Sequence, residues 1–197
     1  MDIRITSLAS CWTKNRDSYL AGAEAVFWET ANTAEFASPV EEHAFQWRYF
    51  GYYAAHAPQF FLVAHAPNPP LQVLGYICGV ADTRSHRELY HVAAHVPVFD
   101  DLYEAYPAHL HINLTAESRG MGLGGRLVAE LSAAVAAHGA PGIHLVTSAG
   151  ARNVSFYRRN GFVEEVQRPL ASGGGQAEPL LFLGKRLEPH RTDHVAP

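Results

Sequence analysis

The chain has 197 residues, long enough for one domain with a sizeable core. Apolar residues make up 48% and charged residues 17%, a balance that excludes a disordered chain. The net charge of −4 and the lack of a Lys/Arg run exclude general nucleic-acid binding and weakly favour a neutral or cationic partner. Cys11 and Cys78 are too few for a disulfide scaffold, so a reducing, cytoplasmic setting is expected. The start shows no signal-peptide pattern, and no apolar run approaches membrane-span length, so no membrane partner is expected.

Taken in chain order, Ile3–Ile5 alternates as a first strand, and residues 15–32 read as a helix with Ala21, Ala25, Val26 and Trp28 on its apolar face. Ser38-Pro39 followed by Glu41 and Glu42 is a helix start. That helix runs through Phe45, Trp47, Tyr49, Phe50 and Tyr53 towards His56; most of these aromatics read as core, and one or two as a wall of a pocket. Phe60–Ala64 and Leu71–Ala81 read as a hairpin around Pro67–Pro70. Residues 82–108 form a long connection of the kind that is usually functional or mobile. Leu110–Leu114 is a buried strand, Leu123–Val135 an amphipathic helix stopped by Gly139-Ala-Pro141, and Ile143–Thr147 a strand. Asn153–Asn160 reads as a short helix, Phe162–Gln167 as a strand, Ser172–Gly175 as a flexible turn and Leu180–Gly184 as the last strand. Residues 1–187 form one domain, and 188–197 a disordered polar tail.

The most informative stretch is Arg119-Gly-Met-Gly-Leu-Gly-Gly125, set between a strand and a helix. The first N–H groups of a helix lack partners and the dipole is positive there, so glycines at that point let a phosphate come close. Gly120, Gly122 and Gly125 match the dinucleotide fingerprint, but no acid follows at the roughly 20-residue distance that holds a ribose. A P-loop needs a Gly-Lys pair, and the only lysines are Lys14 and Lys185.

Arg119-x-x-Gly122-x-Gly124 resembles instead the acyl-CoA pyrophosphate loop of the GNAT N-acetyltransferases, and Leu110–Ala116 looks like the strand that precedes it, with Ala116 in place of the usual proline. Asn153-Val-Ser-Phe-Tyr157-Arg-Arg-Asn-Gly161-Phe162 resembles that family's second signature, at the family's spacing from Arg119. More narrowly, Ala105–Ile112 looks like the acetyltransferase-like domain at the C-terminus of O-GlcNAcase and its bacterial relatives.

The resemblance implies an α/β (α+β) GNAT fold: a mixed, mostly antiparallel sheet of about seven strands flanked by helices and splayed at the CoA strand. It implies acetyl-CoA as cosubstrate, no metal, and transfer of an acetyl group to a primary amine on a small molecule or protein lysine. The cofactor-binding residues implied are Ile112, Asn113, Leu114, Arg119, Gly120, Met121, Gly122, Leu123, Gly124, Gly125, Asn153, Phe156 and Tyr157. Tyr157 matches the family's general acid for the leaving thiolate. The family's strand Glu is absent, so the base is open among His111, Asp82, His109, Glu104 and a water chain. His91 and His95 stand at i, i+4 without a convincing third metal ligand and read as loop or surface residues. A monomer or homodimer is expected. A non-catalytic acyl-CoA-binding scaffold is the alternative reading.

Overall fold

The computed structural model describes residues 2–11, 13–31, 35–67, 70–169 and 179–188. The Ser172–Gly175 turn and residues 189–197 of the expected tail lie outside them. Seven strands form one sheet in the order β1-β2-β3-β4-β5-β7-β6: β1 Arg4–Ser7, β2 Leu62–Ala66, β3 Gln72–Val80, β4 Ala108–Leu114, β5 Gly142–Ser148, β6 Glu164–Arg168 and β7 Leu180–Arg186. Every neighbouring pair is antiparallel except β4 and β5, which run parallel. The last hairpin inserts β7 between β5 and β6.

Helix α1, Thr13–Thr30, lies against β3 and β4. Helix α2, Pro39–Gln46, starts as its sequence requires: the Ser38 side chain accepts from the Glu41 N–H. It does not continue as one regular helix. A π turn over Trp47–Gly51 carries it into α3, Tyr52–His56. The extra residue in that turn re-aims the aromatics, so Phe50, Tyr52 and Tyr53 are buried while Tyr49 is half-buried. Helix α5, Leu123–Ala137, buries Leu123, Leu127, Leu131 and Val135 at i, i+4 spacing and ends before Gly139, whose φ of +87° suits only glycine.

The 82–108 connection is more ordered than a mobile loop. It holds two 3₁₀ turns and a short helix, α4, Arg87–Val92. Leu89, Val96, Phe99 and Tyr103 are buried in the core, with Phe99 packed 5.4 Å from Phe182 and Tyr103 stacked 4.7 Å from His144. Arg168 clamps its far end through Asp101 at 2.5 Å and the Val98 carbonyl at 2.6 Å. Apolar spacing hidden among histidines and acids made this stretch look like a loop.

Candidate active site

Strands β4 and β5 pair only at Ala108–Ile143 and His109–His144. Beyond that point they diverge, although β4 stays paired to β3 as far as Leu114 and β5 to β7 as far as Ser148. The divergence opens a cleft of about 910 Å³ between the unpaired edges, closed on one side by the start of α5 and on another by α6, Val154–Arg159.

The glycine-rich turn shapes one end of this cleft. Gly122 caps α5 in the left-handed conformation, with no side-chain cap, and Gly120 shares that conformation. The first helical hydrogen bond is Arg126 N–H to Gly122 C=O, so the N–H groups of Leu123, Gly124 and Gly125 have no helical acceptor. A Cβ at Gly124 would stand 3.0 Å from the Phe156 ring and 3.1 Å from Leu114, so a larger residue would press on both side chains where α5 starts close to β4 and α6. The result is a concave end with free donors and a positive dipole.

Ile112, Asn113, Leu114, Arg119, Gly120, Gly122, Leu123, Gly124, Gly125, Asn153, Phe156 and Tyr157 line the cleft, and so does His111, one of the candidate bases. Met121 does not: between two left-handed glycines its side chain is turned outward and stays 53% exposed. Asp82 is also elsewhere. Its carboxylate accepts from the Arg84 N–H and the Ser85 hydroxyl, capping a 3₁₀ turn, which accounts for it as a structural acid. Glu104 is exposed and likewise outside the cleft.

His111 ends a buried chain of hydrogen bonds whose direction can be derived. The Pro107 carbonyl can only accept, so the Thr83 hydroxyl donates to it at 2.7 Å. The Thr83 oxygen must then accept from His109 Nδ1–H, 2.8 Å away. His109 Nε2 is left as an acceptor and takes the Tyr53 hydroxyl proton at 2.8 Å. The Tyr53 oxygen in turn accepts from His111 Nε2–H at 3.0 Å. His111 is thereby fixed as the Nε2–H tautomer, with the Nδ1 lone pair unused by any hydrogen bond among the described residues. Burial, reinforced by His95 and His144, pushes its pKa down to about 3, so the ring is neutral.

Tyr157 stands on α6, braced by Phe156 at 5.2 Å and Phe162 at 5.7 Å. Its hydroxyl makes no hydrogen bond among the described residues. Burial pushes its pKa up, so it stays protonated and is a donor facing the cleft.

A family model described as "Acetyltransferase (GNAT) domain" matches residues 58–164. The chain belongs to the GNAT acetyltransferase family. It is therefore an acyltransferase. Solved structures share the fold at low identity. The crystal structure of SsHAT is 20% identical with a TM-score of 0.63, covering 94% of this chain and 98% of that one. A chain of the NatC complex bound to Gag peptide and CoA is 13% identical, TM-score 0.61, covering 95% and 100%. Ard1 from Thermoplasma volcanium is 13% identical, TM-score 0.58, covering 95% and 99%.

Sequence reasoning missed several residues of this GNAT cleft. Arg152 and Arg159 line it beside Arg119, and none of the three forms an ion pair among the described residues. Thr30, at the end of α1, also lines it and accepts from the Asn113 amide. His95, read as a surface residue, lines a small cavity with His109, His111 and His144, and burial pushes its pKa down to about 4. No group of three or more His, Cys, Asp or Glu among the described residues could hold a metal ion.

Proposed function

We propose that this acyltransferase moves an acetyl group from acetyl-CoA to a primary amine, with His111 as general base and Tyr157 as general acid. The observation that carries the reading is the divergence of β4 and β5 beside the uncapped start of α5. The residues fit the cosubstrate. The free donors of residues 123–125, with Arg119, Arg152 and Arg159, suit its phosphates, and the unpaired edge of Ile112–Leu114 suits its amide-bearing arm.

The bound thioester supplies an activated carbonyl, which backbone N–H groups on the diverging edge of β4 polarise. His111 Nδ1 takes the proton the amine sheds as its nitrogen bonds to that carbonyl carbon, and Tyr53 steadies the Nε2–H on the far side of the ring. Tyr157 gives its hydroxyl proton to the departing sulfur as the carbon–sulfur bond breaks; solvent then returns a proton to Tyr157 and removes one from His111.

The narrower kinship with the O-GlcNAcase C-terminal domain, a cytoplasmic location, a single domain over residues 1–187, and a monomer or homodimer belong to this reading too. The scaffold alternative draws on the absence of a Glu from β4. His111 offers another base, which favours the enzyme. Amine-dependent release of the CoA thiol tests the proposal.

A further inference from the structure

We propose that Arg48 binds a carboxylate on the acceptor, so that the preferred amines are amino acids or similar aminocarboxylates. This rests on the acetyl-transfer reading above and names the acceptor's class. Arg48 lies in the π turn, next to Tyr49, whose ring meets the His111 imidazole edge-on at 5.4 Å. π turns of this kind recur at functional sites.

Arg48 lines a cavity of about 20 Å³ together with Tyr49, His95, His111 and His144. That cavity and the cleft share Leu110, His111, Leu145 and Val146 as a common wall. The Arg48 Nε is buried without a hydrogen-bond partner. No carboxylate lies within ion-pair distance of its guanidinium among the described residues, whose four arginine ion pairs use Arg4, Arg84, Arg158 and Arg168. Its guanidinium stands over the Tyr49 ring, 5.7 Å from Cζ, and its charge helps to hold the His95 pKa down. Every group that faces it across the cavity is an imidazole, a hydroxyl or apolar; Asp and Glu are absent from the lining.

A half-buried guanidinium with a sheltered, unpaired N–H is costly unless an anion completes it. Arg pairs best with planar, two-pronged anions. With the carboxylate on Arg48, the amine of a short aminocarboxylate is directed at the His111 wall and the diverging strands.

The experiment titrates the CoA-bound wild-type protein with 4-aminobutyrate, β-alanine, acetate and butylamine, and follows the Arg48 Nε–H resonance by ¹H–¹⁵N NMR. The two aminocarboxylates, and acetate more weakly, are expected to shift it saturably, and butylamine is not; in Arg48→Gln the tightening that the carboxylate confers over butylamine, about tenfold or more, disappears. Absence of a saturable shift with every carboxylate, or an equal shift with butylamine, overturns the proposal. Acetyl transfer is scored separately: carboxylate binding at Arg48 without any amine turnover sinks the transferase reading and leaves the anion site standing.

Discussion

Tyr53 and His111 meet at 3.0 Å, oxygen to Nε2, across 58 residues of sequence. The phenol is shared with His109, and because the chain of bonds begins at a carbonyl, every proton in it has one allowed position. The contact therefore decides which nitrogen of His111 is free to act as a base.

Tyr53→Phe keeps the ring and removes that control. It leaves His109 Nε2 and His111 Nε2–H without their partner, at a stability cost of about 1–3 kcal/mol. We expect kcat to fall about tenfold or more with acetyl-CoA affinity nearly unchanged. Side-chain ¹⁵N NMR should show His111 as the single Nε2–H tautomer in the wild type and as a mixture in the variant. A single tautomer in both would show that Tyr53 only fills space.

Gly122→Asp separates folding from binding. The left-handed φ of +75° costs a non-glycine residue about 1 kcal/mol, but Asp tolerates it and is a good N-cap, and a Cβ there meets nothing within 4 Å. Stability should change little. The new carboxylate would stand where we propose the pyrophosphate is held, so acetyl-CoA affinity by calorimetry should drop about tenfold or more. Equal affinity in a folded variant would remove the 119–125 turn from the site.

How much of this was legible in sequence follows from how local each feature is. The turn from Arg119 to Gly125, the strand before it and the helix after it are contiguous, and their glycines declare themselves. The Ser38 cap is equally local. The His111 chain joins Thr83, Tyr53 and His109 across 26 and 56 residues, so no spacing rule reports it. Asp82 looked like a candidate base because a free carboxylate and a capping one are the same letter. Arg152 and Arg159 gain their meaning only when α6 folds beside the cleft. The π turn at Trp47–Gly51 hid inside an unbroken helical pattern.

Acid should loosen the fold through its buried histidines. His109 and His144 are 6% and 3% exposed; burial holds His109 well below the usual 6.5 and His144 at about 3. The unfolded chain takes up protons below 6.5 that the folded chain refuses, so stability is full above that pH and is lost as pH falls towards 3. Each group contributes roughly 1.4 kcal/mol per pH unit within that window. Urea midpoints should fall steadily from about pH 7 to about pH 5, and His144→Gln should flatten the slope. A slope unchanged by that substitution would place the acid sensitivity elsewhere.

Tyr157→Phe removes only a hydroxyl that has no hydrogen-bond partner among the described residues, so stability should hold. If that proton goes to the departing sulfur, kcat falls on the order of 10²-fold while acetyl-CoA affinity stays nearly constant. Wild-type turnover in the Phe variant would make Tyr157 a packing residue.

The central claim is acetyl transfer to an amine at the divergence of β4 and β5. Its most direct measurement is the release of CoA thiol from acetyl-CoA on adding primary amines, with mass spectrometry of the amine. The account predicts thiol release that depends on the amine, matched mole for mole by acetylated amine, and depressed about 10²-fold or more in His111→Gln without loss of acetyl-CoA binding. Tight acetyl-CoA binding with no thiol released above the amine-free rate, across small amines and lysine peptides alike, would contradict it and leave an acyl-CoA-binding domain.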